Sequence, residues 1–202
     1  NPSTLGGAVS LLNATNIALR NFIFAGWVTV TDSQDVTLVG TVTDDSINVT
    51  VQGAVENLSV DGGQGSDAVT LNMEASSAGV TAADSGSSAG DSLTVNTTAA
   101  NEQVTVTAAA VSVGEAQTIN TGGIESQTIN TGAGDDTLTV DNSDGQIQSQ
   151  ITYAGGAGYD VLNVVGDGAS SGSYTPAPGQ PDSGAMTVGA AAIQFTGVEP
   201  TT

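Results

Sequence analysis

The chain has 202 residues, 21 acidic side chains, one basic side chain and no His or Cys, for a formal charge of −20. Arg20 is the sole cation. A nucleic-acid partner, which needs Lys and Arg to displace counterions, is therefore not expected, and an anionic membrane surface would repel the chain. Without Cys and His there are no disulfides, no thiol chemistry, no zinc site of the usual kind and no imidazole base.

No apolar run is long enough to span a bilayer, so membrane insertion is not expected. Aromatics make up 3% of the chain, too few for a core built around rings. Gly, Ser, Thr, Asn and Asp dominate the remainder, which favours strands joined by tight turns. Residues 1–202 read as a single domain.

Apolar alternation begins at Val9/Leu11 and Ile17/Leu19. Phe22, Phe24 and Trp27 follow, as filling for the first turns of the fold or as a docking surface for a neighbour. From Asp45 onward an acid recurs as Asp45, Asp67, Asp91, Glu115, Asp136, Asp160 and Asp182, at steps of 21 to 24 residues. Four residues after each stands an apolar one: Val49, Leu71, Val95, Ile119, Val140, Val164 and Met186. This period-two pattern predicts a short half-buried strand per unit, strand A.

A second series, strand B, interleaves with the first: Ile17/Leu19, Val36/Leu38, Leu58/Val60, Val80/Ala82, Val104/Val106, Ile129, Ile151/Tyr153 and Ile193/Phe195, with a weak rung near Tyr174. Residues 55–72 also align without gaps on 124–141, an offset of 69 that is three steps of 23. Two strands repeating in phase predict an all-β parallel β-solenoid (β-helix-like) of about nine coils of 19–24 residues, each strand stacked about 4.8 Å from its copy. The Gly/Ser/Pro-rich stretch 166–184 reads as an irregular loop bulging from one coil.

Glycine-rich turns precede several strands. Gly62–Thr70 and Gly155–Asn163 fit the nonapeptide G-G-x-G-x-D-x-U-x, Thr131–Thr139 fits with one Gly lost, and Gly86–Thr94 is a degraded copy. These turns resemble the hemolysin-type (RTX-like) calcium-binding repeats of extracellular bacterial surface and adhesin-like proteins. The resemblance implies Ca²⁺ held by Asp67, Asp136, Asp160 and Asp91. Asp45 is in phase without the glycine run, and Asp44, Asp61, Asp135 and Asp141 stand nearby. The matches come once per coil at most, whereas that family carries two.

In-phase acids about 5 Å apart repel by about 0.8 kcal/mol in water, and several-fold more at a lower effective dielectric. One Arg cannot offset this, whereas Ca²⁺ suits carboxylates and turn carbonyls. The metal-free alternative has each Asp capping its own turn.

The outward residues Thr29/Thr31, Asn48/Thr50, Thr70/Asn72, Thr94/Asn96, Thr118/Asn120 and Thr139/Asp141 resemble the threonine-rich faces of ice-binding β-helices, though Thr and Asn are also ordinary on a half-buried strand. Residues 16–21 and 35–38 resemble coils of polysaccharide lyases, but Asp44/Asp45 and Asp135/Asp136 are turn doublets with no Lys or His beside them, and no catalytic residue is expected. Sequons occur at Asn13, Asn48, Asn57 and Asn96. Strand pattern runs close to both ends without a cap, and Val198-Glu199 resembles Val55-Glu56 and Ile124-Glu125 as if another module followed. The expectation is a structural unit of an extracellular or cell-surface protein or filament, associating end to end or with neighbouring modules of a longer chain. The alternative is a calcium-dependent ice- or glycan-binding module.

Overall fold

A computed structural model describes residues 2–87 and 89–199, and the described chain is all-β. Position 88, inside the degraded glycine copy, and residues 200–202 of the expected C-terminal tail lie outside it. The strands begin with β1 (Ser3–Leu5), β2 (Val9–Leu12), β3 (Thr15–Arg20), β4 (Phe22–Phe24), β5 (Trp27–Thr31) and β6 (Gln34–Val39). They continue with β7 (Ser46–Asp61), β8 (Ala68–Ala83), β9 (Ser92–Asn96), β10 (Gln103–Val106), β11 (Ala110–Val113) and β12 (Gln117–Gly122). The last are β13 (Ser126–Ala133), β14 (Thr137–Asp141), β15 (Gln150–Ala157), β16 (Val161–Val165), β17 (Gly172–Ala177), β18 (Gln180–Val188) and β19 (Ala191–Thr196).

β1 pairs with β4, and the other 17 strands form one mixed sheet. Within it run two ladders. The A ladder stacks β2, β5, the first halves of β7 and β8, then β9, β13, β15 and β19, all parallel. The B ladder stacks β3, β6, the second halves of β7 and β8, then β12, β11, β10, β14 and β16. β7 and β8, 16 residues each, run from one ladder into the other.

The expected uniform parallel stack fails in two places. β10, β11 and β12 fold back on one another antiparallel, with Val111 and Val113 buried in the middle strand. This excursion stretches one repeat to 34 residues, the separation of hydrogen-bonded Asn96 and Asn130. Beyond it the two ladders exchange roles. Leu138/Val140 and Leu162/Val164, expected on A, lie on B, while Ile129, Ile151/Tyr153 and Ile193/Phe195, expected on B, lie on A. Both strand types bury the same small aliphatic pairs, so exchanging them leaves no core residue in water. The second departure is at 166–184. Most of that stretch is the antiparallel hairpin β17–β18, which pairs onto β19 and takes up Tyr174 and Met186.

Between the ladders lies a core of Val, Leu and Ile, with Tyr153 its largest fully buried side chain. Phe22 and Phe24 pack on this core, but Trp27 is 41% exposed. Outside the A ladder, one row runs Asn48, Thr70, Thr94, Thr128, Thr152 in register. In the row beside it Asn130 Nδ2 donates to Asn96 Oδ1 and Asn96 Nδ2 to Asn72 Oδ1, both at 2.8 Å. Thr118/Asn120 and Thr139/Asp141, expected on this face, are on the B ladder instead, for the same exchange of roles.

The exchange is open to a covalent test. Paired Cα atoms on adjacent strands stand about 4.8 Å apart, within disulfide range, and the chain has no cysteine of its own. Thr94→Cys with Thr128→Cys should cross-link quantitatively on mild oxidation, whereas Thr94→Cys with Thr118→Cys, the partner a simple 24-residue repeat would choose, should not. Non-reducing mass spectrometry reads the result. In the core, Leu71→Ala should cost about 2–5 kcal/mol in chemical denaturation, against about 0.5 kcal/mol or less for Thr70→Ala next to it.

Candidate metal centre

Three of the glycine turns are built alike. Their second and fourth residues have positive φ: 106° and 129° at Gly63 and Gly65, 92° and 130° at Gly132 and Gly134, 109° and 137° at Gly156 and Gly158. L side chains rarely adopt these values, so glycine is required there. The first glycine has a different reason. A Cβ on Gly62 would lie 2.4 Å from Asp67 Oδ2, and one on Gly155 would lie 2.5 Å from Asp160 Oδ2. Each turn thus opens a slot into which its own aspartate folds back.

Asp67, Asp91, Asp136 and Asp160 are all buried, at 3%, 0%, 1% and 0% exposure. One oxygen of each can be accounted for along the stack. Asp67 Oδ1 accepts the Asp45 N–H at 2.7 Å, and Asp91 Oδ1 accepts the Asp67 N–H at 2.7 Å. Glu125 Oε2 then accepts the Asp91 N–H at 2.9 Å. A second series repeats this at the other corner. Asp136 Oδ1 accepts from Glu102 N–H, Asp160 Oδ1 from Asp136 N–H, and Glu199 Oε2 from Asp160 N–H.

The acids expected along one edge are therefore split between two. Asp45, Asp67 and Asp91 precede strands of the A ladder, whereas Asp136 and Asp160 precede strands of the B ladder. The exchange of ladders at β10–β12 is the cause. Glu115 and Asp182 belong to neither series and are exposed. Asp45 Oδ2 is already engaged, by the Thr41 backbone N–H at 2.6 Å and the Thr41 hydroxyl at 2.7 Å.

The remaining oxygens are the informative ones. Oδ2 of Asp67, Asp91, Asp136 and Asp160 is buried without a hydrogen-bond partner, and so is Asp84 Oδ1. Asp67, Asp84 and Asp91 bring one ligand atom each within 4.8 Å of one another, an arrangement able to hold a metal ion. Asp84 is half-buried, the other two fully so. Asp84 does not follow the acid period. Pairing of Asp61 with Ala83 places it over Gly62, so an acid stands where the strand below has a glycine.

The titration of these groups reflects the crowding. Burial first, then the charges of Asp91 and Asp67, push Asp84 up to about 6. Burial raises Asp67 as well, opposed by the Asp45 N–H and reinforced by Asp45, Asp91 and Asp44. Asp160 is raised by burial in the same way, and Tyr153, buried close by, is pushed up to about 12. No Lys is present, and among the described residues no carboxylate of either series is paired with Arg20. An isolated buried carboxylate costs several kcal/mol, so such a group takes up a proton or a cation.

No family model matches the chain, and no curated protein or solved structure matches it. The likeness to hemolysin-type repeats therefore rests on the nonapeptides themselves.

A pH dependence follows from the raised carboxyls. Protonation is easier in the folded than in the unfolded state, so the contribution of Asp84 is complete below its ordinary value of 3.8 and is lost as pH rises through about 6. In metal-stripped buffer the melting temperature should rise as pH falls from 7.5 to 5. Asp84→Asn should shrink that rise, and a wild-type melting temperature that falls over the same range would contradict it.

Proposed function

We propose that this chain is a structural repeat unit of an extracellular surface protein or filament, a parallel β-solenoid interrupted by two antiparallel excursions and stiffened by calcium at its acidic corners. The observation that carries this reading is the set of buried, partnerless carboxylate oxygens at Asp67, Asp84 and Asp91. Three converging carboxylates and nearby turn carbonyls are a hard-oxygen donor set, which suits Ca²⁺. Asp136 and Asp160 offer a second, two-carboxylate position at the other corner. Neither position calls for chemistry beyond charge neutralisation, and the role proposed for the ion is mechanical. It bridges Asp67 and Asp91, which precede successive strands of the A ladder, and Asp84, which follows the B-ladder half of β8, so strand separation would require its release.

Calcium at millimolar concentration outside cells would keep such sites filled, which supports a surface location. The strand edges support association. Among the described residues β2 pairs only with β5, β3 only with β6 and β16 only with β14, which leaves ladder hydrogen bonds for a neighbouring module or a second subunit. No residue is assigned a catalytic role.

Thermal melting in calcium and in EGTA at pH 7.5 tests the metal. A midpoint at least 10 °C higher in calcium is expected, with the difference lost in Asp91→Asn. An identical wild-type midpoint in the two buffers would remove calcium from the account. Negative-stain electron microscopy of the protein in calcium tests the assembly, with end-to-end rods expected and isolated particles at every concentration opposing it.

A further inference from the structure

The two central rows on the outer side of the A ladder are free of charge in a chain with 21 acids and one base. From β5 to β19 those rows hold Thr, Asn, Gln and Ala, together with Trp27. The next row, Thr31, Gln52 and Glu74, ends on an exposed acid to which Gln52 Nε2 donates at 2.9 Å. The B ladder carries Arg20, Asp61 and Asp141 on its outer side.

That face also carries an apolar plate. Trp27, the only tryptophan, is paired with Asn48 and so heads the row that continues through Thr70, Thr94, Thr128 and Thr152. Beside it the Asn72, Asn96 and Asn130 amides are held by one another, so their remaining donors and acceptors are presented in fixed directions. A surface of hydroxyls and amides with one exposed indole offers both hydrogen-bond senses and a ring for stacking. Burying carboxylates beneath a partner would cost several kcal/mol, a cost this face avoids.

Charge selects among partners. Polyanions are repelled by the net charge of −20, and a second copy of the chain has the open strand edges, not this face, to pair with. A cationic protein would be drawn to the acidic corners, not to a neutral face. What remains is an extended, uncharged polymer rich in hydroxyls. We propose that the outer A face, from Trp27 to Thr152, binds a neutral polysaccharide chain laid along the stacking direction, with a sugar ring stacked on Trp27. This site does not depend on the metal reading, and it stands or falls separately.

The test uses the whole chain in calcium, with microcrystalline cellulose, chitin and yeast mannan as neutral probes and alginate as the anionic one. Retention on at least one neutral polymer is expected, with a shift of the single tryptophan's emission on titration with the matching oligosaccharide. Thr94→Asp and Trp27→Ala should each weaken retention tenfold or more, while Thr139→Asp on the B ladder leaves it unchanged. Thr152→Asp, at a more exposed position, replaces Thr94→Asp if that variant does not fold. The proposal is overturned by no retention on any neutral polymer, by retention on alginate alone, or by equal losses in the A and B variants. It is also overturned if Thr94→Asp abolishes thermal hysteresis or a dimer in gel filtration while the wild type binds no polysaccharide.

Discussion

A carboxylate oxygen that accepts the backbone N–H of the corner acid one strand away ties each corner to the next, from Asp67 to Asp45 and from Asp91 to Asp67. The same bond recurs from Asp160 to Asp136. It satisfies a donor that the turn would otherwise leave unpaired, and it sets the stacking register together with the strand ladders. It also draws each carboxylate out of water. One oxygen gains a partner and the other loses its hydration, which leaves the column of unpaired Oδ2 atoms. The glycines follow from this arrangement, since Gly62 and Gly155 make room for the aspartate that folds back over them.

Much of the architecture is legible in the sequence because the period-two burial pattern is a direct record of which side chains leave water. Val36/Leu38, Leu58/Val60, Val95 and Val140 are all buried, as their spacing predicts. What spacing cannot convey is which ladder a strand joins. Val104/Val106 and Leu93/Val95 are interchangeable as buried pairs, so a doubled-back segment such as β10–β12 changes the pairing without leaving a mark on the pattern. The hairpin at β17–β18 is hidden differently. Its Gly, Ser and Pro content is that of a loop, and β17 is mostly exposed, so only Tyr174 and Met186 mark it.

The candidate site divides along the same line. Asp67, Asp91, Asp136 and Asp160 are legible because a glycine turn and an acid recur together. Asp84 is out of phase and becomes visible only when Ala83 is paired with Asp61. Glu125 and Glu199 had a signal in the repeated Val/Ile-Glu pairs, but their role emerges only from the N–H groups of Asp91 and Asp160 that they accept. Glu102 carried no such mark.

The charge of −20 thus has an uneven distribution with two consequences. Acids are concentrated at corners, where several are buried against one another, and are absent from the two central rows of the outer A face. The corners are the part on which the rest depends, because their excess charge needs a counter-ion that the chain itself does not supply. Calorimetric titration of Ca²⁺ into the metal-free protein at neutral pH measures that need directly. Saturable binding with a Kd of about 1 mM or tighter, weakened at least tenfold by Asp67→Asn, is the result this account predicts. Wild-type protein that shows no saturable binding would contradict it.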